Sequence, residues 1–368
     1  MGKNLISGAI FISTLITSGL FLRAEIKVGI QLPTTGSEAT YGMDVENAIK
    51  LAAEEVNAKG GVLGQKIVTF TADTGCDPQM ASAAAAKLLS NGVVAVVGGY
   101  CSGADLATLQ QYADAGVPYI ICCSNSSKFT TMNPGCAFLI NSLANFQVDT
   151  AMALFKKEGV KKIALVHEGD GYSEDLASLT RTKWQAMGQE VVAYQMVSKG
   201  EQDMSALVTQ LQSKKPDMIF WTAYYADGAL LVKQLRQFGY QGKIIVGDGC
   251  TDAQFIKIGG KATEGVFNLS NPLPEFLPKG KDFIAKYKAR YHTNPGAYSA
   301  LGYDGMMLFA DALRRANSID HKALTAAIKA TKNYPGLSGK ISFDNNNNLA
   351  ASNFVVLQVK NGEFKLFM

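Results

Sequence analysis

The feature that most constrains this chain is a pair of consecutive strand–loop–helix units between Val93 and Ser127. The first reads VVAVVGGYCSGADLATLQQYADAG and the second opens VPYIICCSNSSKF. In both, an apolar run of strand length shows no polar alternation, the pattern of a parallel strand buried on both faces. Each run stops at short polar residues, Cys101-Ser102-Gly103 and Ser124-Asn125-Ser126, where the next helix starts. Such starts expose backbone N–H groups and the positive end of the helix dipole. Two of them side by side make a cradle for a small carboxylate. The chain therefore reads as a binder of a small anionic or zwitterionic solute.

The same unit recurs along the chain. EIKVGIQLP is a strand, TTGSEATYG its loop, and DVENAIKLAAEEVNAKGG a helix in which Ala48, Leu51, Ala52 and Val56 fall at helical spacing. KIVTFTADT and DPQMASAAAAKLLSNG follow as strand and helix, with Asp77 as the cap. From Cys136 the rhythm restarts, and KKIALVHEGDGYSEDLASLTRTKWQAMG repeats the opening motif. DMIFWTAYYADGALLVKQLRQFG and KIIVGDGCTDAQFIKIGG continue it. Strands and helices alternating at this pace predict doubly wound parallel α/β sheets, two in tandem, and 368 residues suit two domains better than one core. GVFNLSNPLPEFLPKGKDF interrupts the rhythm and reads as a crossover. The helices after it, KDFIAKYKARY, YSALGYDGMMLFADALRRAN and HKALTAAIKAT, fit the first sheet. The tail is a set of short strands with an asparagine turn, Asn345 to Asn348.

The first residues, MGKNLISGAIFISTLITSGLFLRAEIKVG, place one lysine before an apolar core from Leu5 to Leu22, and Ala24 before Glu25. This predicts a secretory signal peptide over residues 1–24 and an exported, periplasmic protein. Five Ser and Thr residues make the span too polar for a comfortable membrane anchor. Without Lys3 and Arg23, 33 basic residues face 31 acidic ones. No basic stripe interleaved with aromatics is present, which argues against nucleic acid. Six cysteines in an exported chain predict disulfides. Joining Cys76 and Cys101, which end neighbouring strand units, would close a loop worth about 3–4 kcal/mol. Spacing alone does not pair Cys122, Cys123, Cys136 and Cys250. Without C-x-x-C and with scattered histidines, no metal site is expected, and no cofactor.

Catalysis finds little support. In Gly99-Tyr100-Cys101-Ser102-Gly103 the serine stands one position late for a nucleophile elbow. The glycines at 98–99 and 247–249 match neither a dinucleotide fingerprint nor a P-loop. Binding suits the residues better, and no enzyme is expected. A free amino acid presents a carboxylate, which Ser102 and Asn125 are placed to meet with hydroxyl, amide and local backbone. It also presents an ammonium, which needs acceptors. Asp248, after the buried strand KIIVG, and Tyr224, at the end of DMIFWTAYY, are candidates, with a turn or helix-cap role as the plainer reading of Asp248. Tyr41, Tyr100 and Tyr298 are candidates to wall a side-chain pocket.

EIKVGIQLPTTGSEATYG, EEVNAKGGVLGQKI, ADTGCDPQMA, VVGGYCSGA, KKIALVHEGDGYSEDLA and GYDGMMLFADAL, in this order, resemble the branched-chain amino-acid (leucine/isoleucine/valine) substrate-binding proteins of ABC importers. The resemblance spans essentially all of the chain after the leader. It implies a type I periplasmic binding protein fold of two α/β lobes joined by three crossovers, closing over solute by hinge motion. Lobe one would comprise residues 25–143 plus 272–350, and lobe two residues 144–271 plus 351–368. The resemblance gives Ser102 and Asn125 to the solute carboxylate. It gives the backbone of Cys123, with Tyr224 and Asp248, to the ammonium. Tyr172 matches a cleft-facing tyrosine of lobe two, and Tyr41, Tyr100, Cys101 and Tyr298 match the side-chain pocket. It also implies a Cys76–Cys101 bond, a monomer, and an inner-membrane ABC permease as partner. Asn125 stands where threonine is usual, Asp248 where glutamate is common, and Tyr100 where leucine is familiar. A sensory protein for an amide or another amino acid is the alternative that the same fold serves.

Overall fold

A computed structural model describes residues 25–352 and 354–368; the expected leader lies outside the described residues. The first strands and helices are β1 (Ile26–Leu32), α1 (Ala39–Ala58), β2 (Ile67–Asp73), α2 (Pro78–Ser90) and β3 (Ala95–Gly98). Then come α3 (Ser102–Leu106), α4 (Leu109–Asp114), β4 (Tyr119–Ile121), α5 (Phe129–Met132) and β5 (Ala137–Leu139). These strands form one parallel sheet in the order β2-β1-β3-β4-β5. β3 and β4 are buried at every position, as their unbroken apolar runs require. Asp77 caps α2, its carboxylate accepting from the N–H groups of Gln79 and Met80.

One expected helix is broken. From Ser102 the chain folds as α3 and α4 rather than one run. At the break, the Thr108 hydroxyl donates to the Asp105 carbonyl at 2.8 Å, a local bond that competes with helix continuation.

The chain then builds α6 (Ala144–Lys157), β6 (Lys162–His167), α7 (Ser173–Ala186), β7 (Glu190–Met196) and α8 (Ser205–Ser213). Next are β8 (Met218–Trp221), α9 (Tyr225–Gln237), β9 (Lys243–Val246), α10 (Ala253–Gly259) and β10 (Phe267–Ser270). Helices α11 (Gly280–Tyr291), α12 (Ser299–Ala316) and α13 (His321–Lys329) follow, then the short pair β11 (Tyr334–Pro335) and β12 (Lys340–Ile341). The chain ends in β13 (Val355–Lys360) and β14 (Glu363–Leu366). The second sheet runs β14-β13-β10-β9-β8-β6-β7, parallel except for its last two strands. Although α12 follows the second sheet's strands in sequence, it packs on the first: Gly305 lies against Cys122 and Val97. The fold is thus two α/β lobes, with a chain that leaves the first, returns, and leaves again.

Each sheet reverses its strand order once, between β1 and β3 in the first and between β6 and β8 in the second. Loops at the carboxyl ends of strands flanking such a reversal diverge and leave a crevice. Tyr41, Tyr100 and Asn125 follow β1, β3 and β4; Tyr172, Tyr224 and Asp248 follow β6, β8 and β9. The two crevices face one another.

Cys76 and Cys101 are joined, with Cα atoms 5.4 Å apart. Cys122, Cys123, Cys136 and Cys250 are free and buried. Among the described residues no helix is long and apolar enough to cross a membrane.

Candidate functional site

The first lobe's share of the site starts from a tight turn after β3. A Cβ on Gly99, at φ +79°, would stand 2.6 Å from the Tyr119 hydroxyl and 2.7 Å from Asp105 Oδ2. Only glycine passes so close, and the turn delivers Tyr100, Cys101 and Ser102 to the crevice. Behind it, buried Asp105 accepts from Gln31 at 3.0 Å, from Tyr119 at 2.7 Å and from Ser124. Burial lifts the Asp105 carboxyl to about 6 against these three bonds. The network ties the loops after β3 and β4 into one rigid edge.

On that edge Ser102 Oγ accepts from the backbone N–H groups of Asn125 and Ser126, each at 3.3 Å. From the sequence, Ser102 and the local backbone N–H groups are all expected to face solute. Instead the amides point at Ser102, whose hydroxyl keeps its own proton to donate. Cys101, not Ser102, precedes α3, and it makes no side-chain cap bond. The Cys123 carbonyl accepts from Asn141 Nδ2 at 2.5 Å, which takes one of its two lone pairs.

Asp248 opens a 3-10 turn, Asp248–Cys250, just past β9. Its carboxylate is buried, accepting from the Tyr172 hydroxyl at 2.6 Å and Gln147 Nε2 at 3.0 Å on Oδ1. Oδ2 accepts from Asn125 Nδ2 of the opposite lobe at 3.1 Å. Burial pushes the Asp248 carboxyl up, while bonds from Tyr172, Tyr298 and Gln147 pull it down. A buried carboxylate surrounded by hydroxyls and amides is an electrostatic seat for a cation. Tyr224 does not end a strand as expected; β8 stops at Trp221 and Tyr224 precedes α9.

Tyrosines line the space between the poles. Tyr41 stacks on Tyr100 with centroids 4.8 Å apart, and Tyr298 meets both edge-on at 5.5 and 5.6 Å. Tyr224 bridges Tyr100 and Tyr172 at 5.9 and 5.4 Å. With Cys123, Asn125, Asp248 and Gly249, Tyr100, Tyr172, Tyr224 and Tyr298 enclose about 10 Å³, room for roughly one water. Tyr224 also lines a larger cavity of about 160 Å³, together with Cys101 and Glu168. The structure thus brings Ser102, Cys123, Asn125, Tyr172, Tyr224, Asp248, Tyr41, Tyr100 and Tyr298 to one crevice, with Cys101 at its outer side.

Four residues of this crevice escaped sequence reasoning. Gln147 sits on α6 fully buried, donating to Asp248 and accepting from Asn125 Nδ2 at 3.3 Å. Its signal was a polar side chain on the apolar stripe Ala144, Val148, Ala151, Met152, Phe155. Asp175, in the first turn of α7, reaches across to the Ser126 hydroxyl at 3.0 Å and to the Ser127 N–H and hydroxyl at 2.6 and 2.7 Å. Tyr225 donates to the Ser37 carbonyl of the other lobe at 2.6 Å. At Gly171 a Cβ would come within 3.0 Å of the Gly103 Cα, so the two backbones touch where neither carries a side chain.

Known proteins share this architecture. The chain is similar to the leucine-binding protein LivK of Thermotoga maritima, at 32% identity and TM-score 0.87 over 93% of this chain and 98% of that one. It is also similar to LivJ of Streptococcus pneumoniae, a branched-chain amino acid transporter substrate-binding protein solved with isoleucine, at 26% identity and TM-score 0.86 over 93% and 98%. The Leu/Ile/Val-binding protein homolog 2 of Brucella abortus is 28% identical over 371 residues, 99% of this chain and 98% of its own. Residues 25–363 match the family model described as periplasmic binding protein. With that match and the type I, two-lobed fold, the chain belongs to the periplasmic binding protein family.

Proposed function

We propose that this protein is a periplasmic solute-binding protein that captures a branched-chain amino acid by closure of its lobes and delivers it to an ABC importer permease. The observation that carries the reading is Asp248, a buried carboxylate held by neutral donors at the meeting of both lobes. An ammonium placed there offsets the cost of that burial. The Cys123 backbone and Tyr224 join Asp248 at the ammonium, the solute carboxylate turns to the Ser102 hydroxyl and the Asn125 amide, and Tyr172 faces the cleft from the second lobe. Tyr41, Tyr100, Cys101 and Tyr298 surround the side chain. The relatives named above, one of them solved with isoleucine, support the aliphatic class.

In this reading the mature chain is an exported monomer after removal of residues 1–24. Lobe one is residues 25–143 plus 272–350, and lobe two residues 144–271 plus 351–368. Solute held by one lobe alone satisfies a single pole, so its differential affinity favours closure, and the closed form is what the permease meets. The protein binds its solute without chemistry upon it. The small space among the tyrosines favours one second reading, a sensory protein for a compact amide.

A thermal-shift panel of the twenty amino acids tests the proposal. Stabilisation by leucine, isoleucine or valine alone is expected. No shift with any amino acid, alongside a shift with acetamide, would move the assignment to the second reading.

A further inference from the structure

Away from the zwitterion seat, the closed cleft shuts in carboxyl groups that the capture mechanism does not use. Glu38, just before α1 in the first lobe, is 1% exposed, and its Oε1 has no hydrogen-bond partner among the described residues. Its Oε2 accepts from the Tyr100 hydroxyl at 3.4 Å, and the Ser37 side chain is a second donor to this carboxyl. On the second lobe, both oxygens of Glu168 are shut off from solvent and have no donor among the described residues. Glu168 lies within hydrogen-bonding reach of the Asp227 carboxyl, whose Oδ2 already accepts from the Gly200 N–H at 2.6 Å. Two carboxylates in that position repel; one proton between them turns repulsion into a hydrogen bond.

We propose that the lobe interface contains a proton-uptake site, made of Glu38 from the first lobe and the Glu168–Asp227 pair from the second, so that closure over solute takes up protons. This rests on the lobe-closure reading above, and it adds the proton as a second, coupled ligand. The geometry ties burial to closure on both sides. Glu168 stands three residues before Gly171, which meets Gly103 of the other lobe. Ser37, beside Glu38, is clamped by the Tyr225 hydroxyl of the second lobe. Opening returns both carboxyls to water.

The charged and titratable surroundings agree. Glu38 is faced by Lys199, Tyr100, Tyr41, Tyr224, Tyr225, Cys250 and Asp252. Glu168 is faced by Asp227, Asp170, Lys199, Cys250 and Tyr224. Lys199 is the cation acting on both, and no ion pair joins it to either among the described residues. It instead lies over the Tyr224 ring at 5.4 Å. Burial lifts Glu38 to about 7 and, helped by Asp227, lifts Glu168 to about 9.

An acid whose closed-form value exceeds its open-form value favours closure when protonated. That gain is full in acid and declines as pH rises, until the closed form too gives up its proton. Between about pH 5 and 7 both groups contribute, and between about 7 and 9 only Glu168 does, weakening affinity by up to about tenfold per pH unit for each proton.

Titration calorimetry of the full mature chain with L-isoleucine, in phosphate and in Tris at about pH 8, reads the proton number from the buffer dependence of the heat. Uptake approaching one proton is expected, falling by at least about half in Glu168→Gln, with Glu38→Gln flattening the pH profile below about pH 7. Lys199→Met should move the profile to higher pH. Buffer-independent heats with flat affinity across this range overturn the proposal. If no amino acid binds, the capture reading fails separately. The proposal is then judged on closure itself, from distances between spin labels on Lys87→Cys and Lys214→Cys. The closed population must fall as pH rises from about 6 to 9, and an unchanged distance distribution overturns it.

Discussion

Asn125 Nδ2 donates to Asp248 Oδ2 at 3.1 Å, joining residues 123 positions apart in sequence and on opposite lobes. This bond marks where the two crevices meet, and it puts the groups assigned to the two poles of the solute in direct contact. Asp248→Ala should weaken isoleucine binding by about 2–5 kcal/mol, because it leaves a buried ammonium without its counter-charge. Calorimetry measures it, with Asp248→Asn as the variant that keeps shape and removes charge. A loss below about tenfold in both would remove Asp248 from the ammonium role.

Ser102→Ala should cost less, about 1–3 kcal/mol of solute affinity. The hydroxyl serves twice in this arrangement, accepting from the N–H groups of Asn125 and Ser126 and holding a proton for the solute. Its removal leaves those amides free to turn to the carboxylate, which limits the damage. Unchanged affinity in the alanine variant would move the carboxylate seat elsewhere.

Gly171→Ala probes closure without touching the solute. A Cβ there would meet the Gly103 Cα at 3.0 Å, and backbone does not yield as a flexible side chain does. The contact forms only between lobes, so its penalty falls on the closed form, about 1–3 kcal/mol by the usual cost of overpacking. Solute affinity should drop while the thermal midpoint without solute stays unaltered. Small-angle scattering should show a smaller contraction on adding isoleucine. A variant that binds and contracts like the parent would mean the lobes meet elsewhere.

Much of this was legible in the sequence for one reason: parallel strands buried on both faces leave unbroken apolar runs, and the residues that end them must line the sheet's carboxyl edge. Ser102, Asn125 and Asp248 were found that way. Gln147 was not, because its chemistry depends on which side of α6 faces the crevice, and a polar residue on an apolar stripe is visible only once the stripe is drawn. Asp175 was not singled out, because its reach to Ser126 and Ser127 depends on how the lobes meet. The break at Thr108 was hidden because helix propensity outside the site does not register a single side-chain bond to the backbone. The Cys122-Cys123 pair, unexplained by spacing, is two buried thiols, the first filling room left by Gly305 on α12.

In the proposed capture of an amino acid, Tyr100 is the wall that limits how much side chain the crevice admits. Its ring is stacked on Tyr41 and braced by Tyr298 and Tyr224, so it has little freedom to swing aside. Tyr100→Leu should shift preference toward leucine over alanine by about tenfold, the scale expected when an apolar pocket gains a methylene or more. Tyr100→Phe, which keeps the ring and drops the hydroxyl contact with Glu38, should leave that ratio unmoved. Competition between the two amino acids reads the ratio directly. Equal ratios in parent and Tyr100→Leu would show that another wall limits the side chain.

The disulfide and the free thiols make a paired prediction. Cys76 and Cys101 close a loop of sequence separation 25, tying the loop after β2 to the start of α3. The double variant Cys76→Ser, Cys101→Ser should lose about 3–4 kcal/mol in urea unfolding, from the freedom the unfolded chain regains. Cys122, Cys123, Cys136 and Cys250 remain thiols, and burial pushes each of them up, Cys136 to about 11. Thiolate is therefore scarce as well as inaccessible in the native fold. Iodoacetamide should leave the native chain unmodified and alkylate those four positions in denaturant, with Cys76 and Cys101 reacting only after reduction. Rapid alkylation of the native chain at any of the four, or at Cys76 without reductant, would contradict the arrangement described.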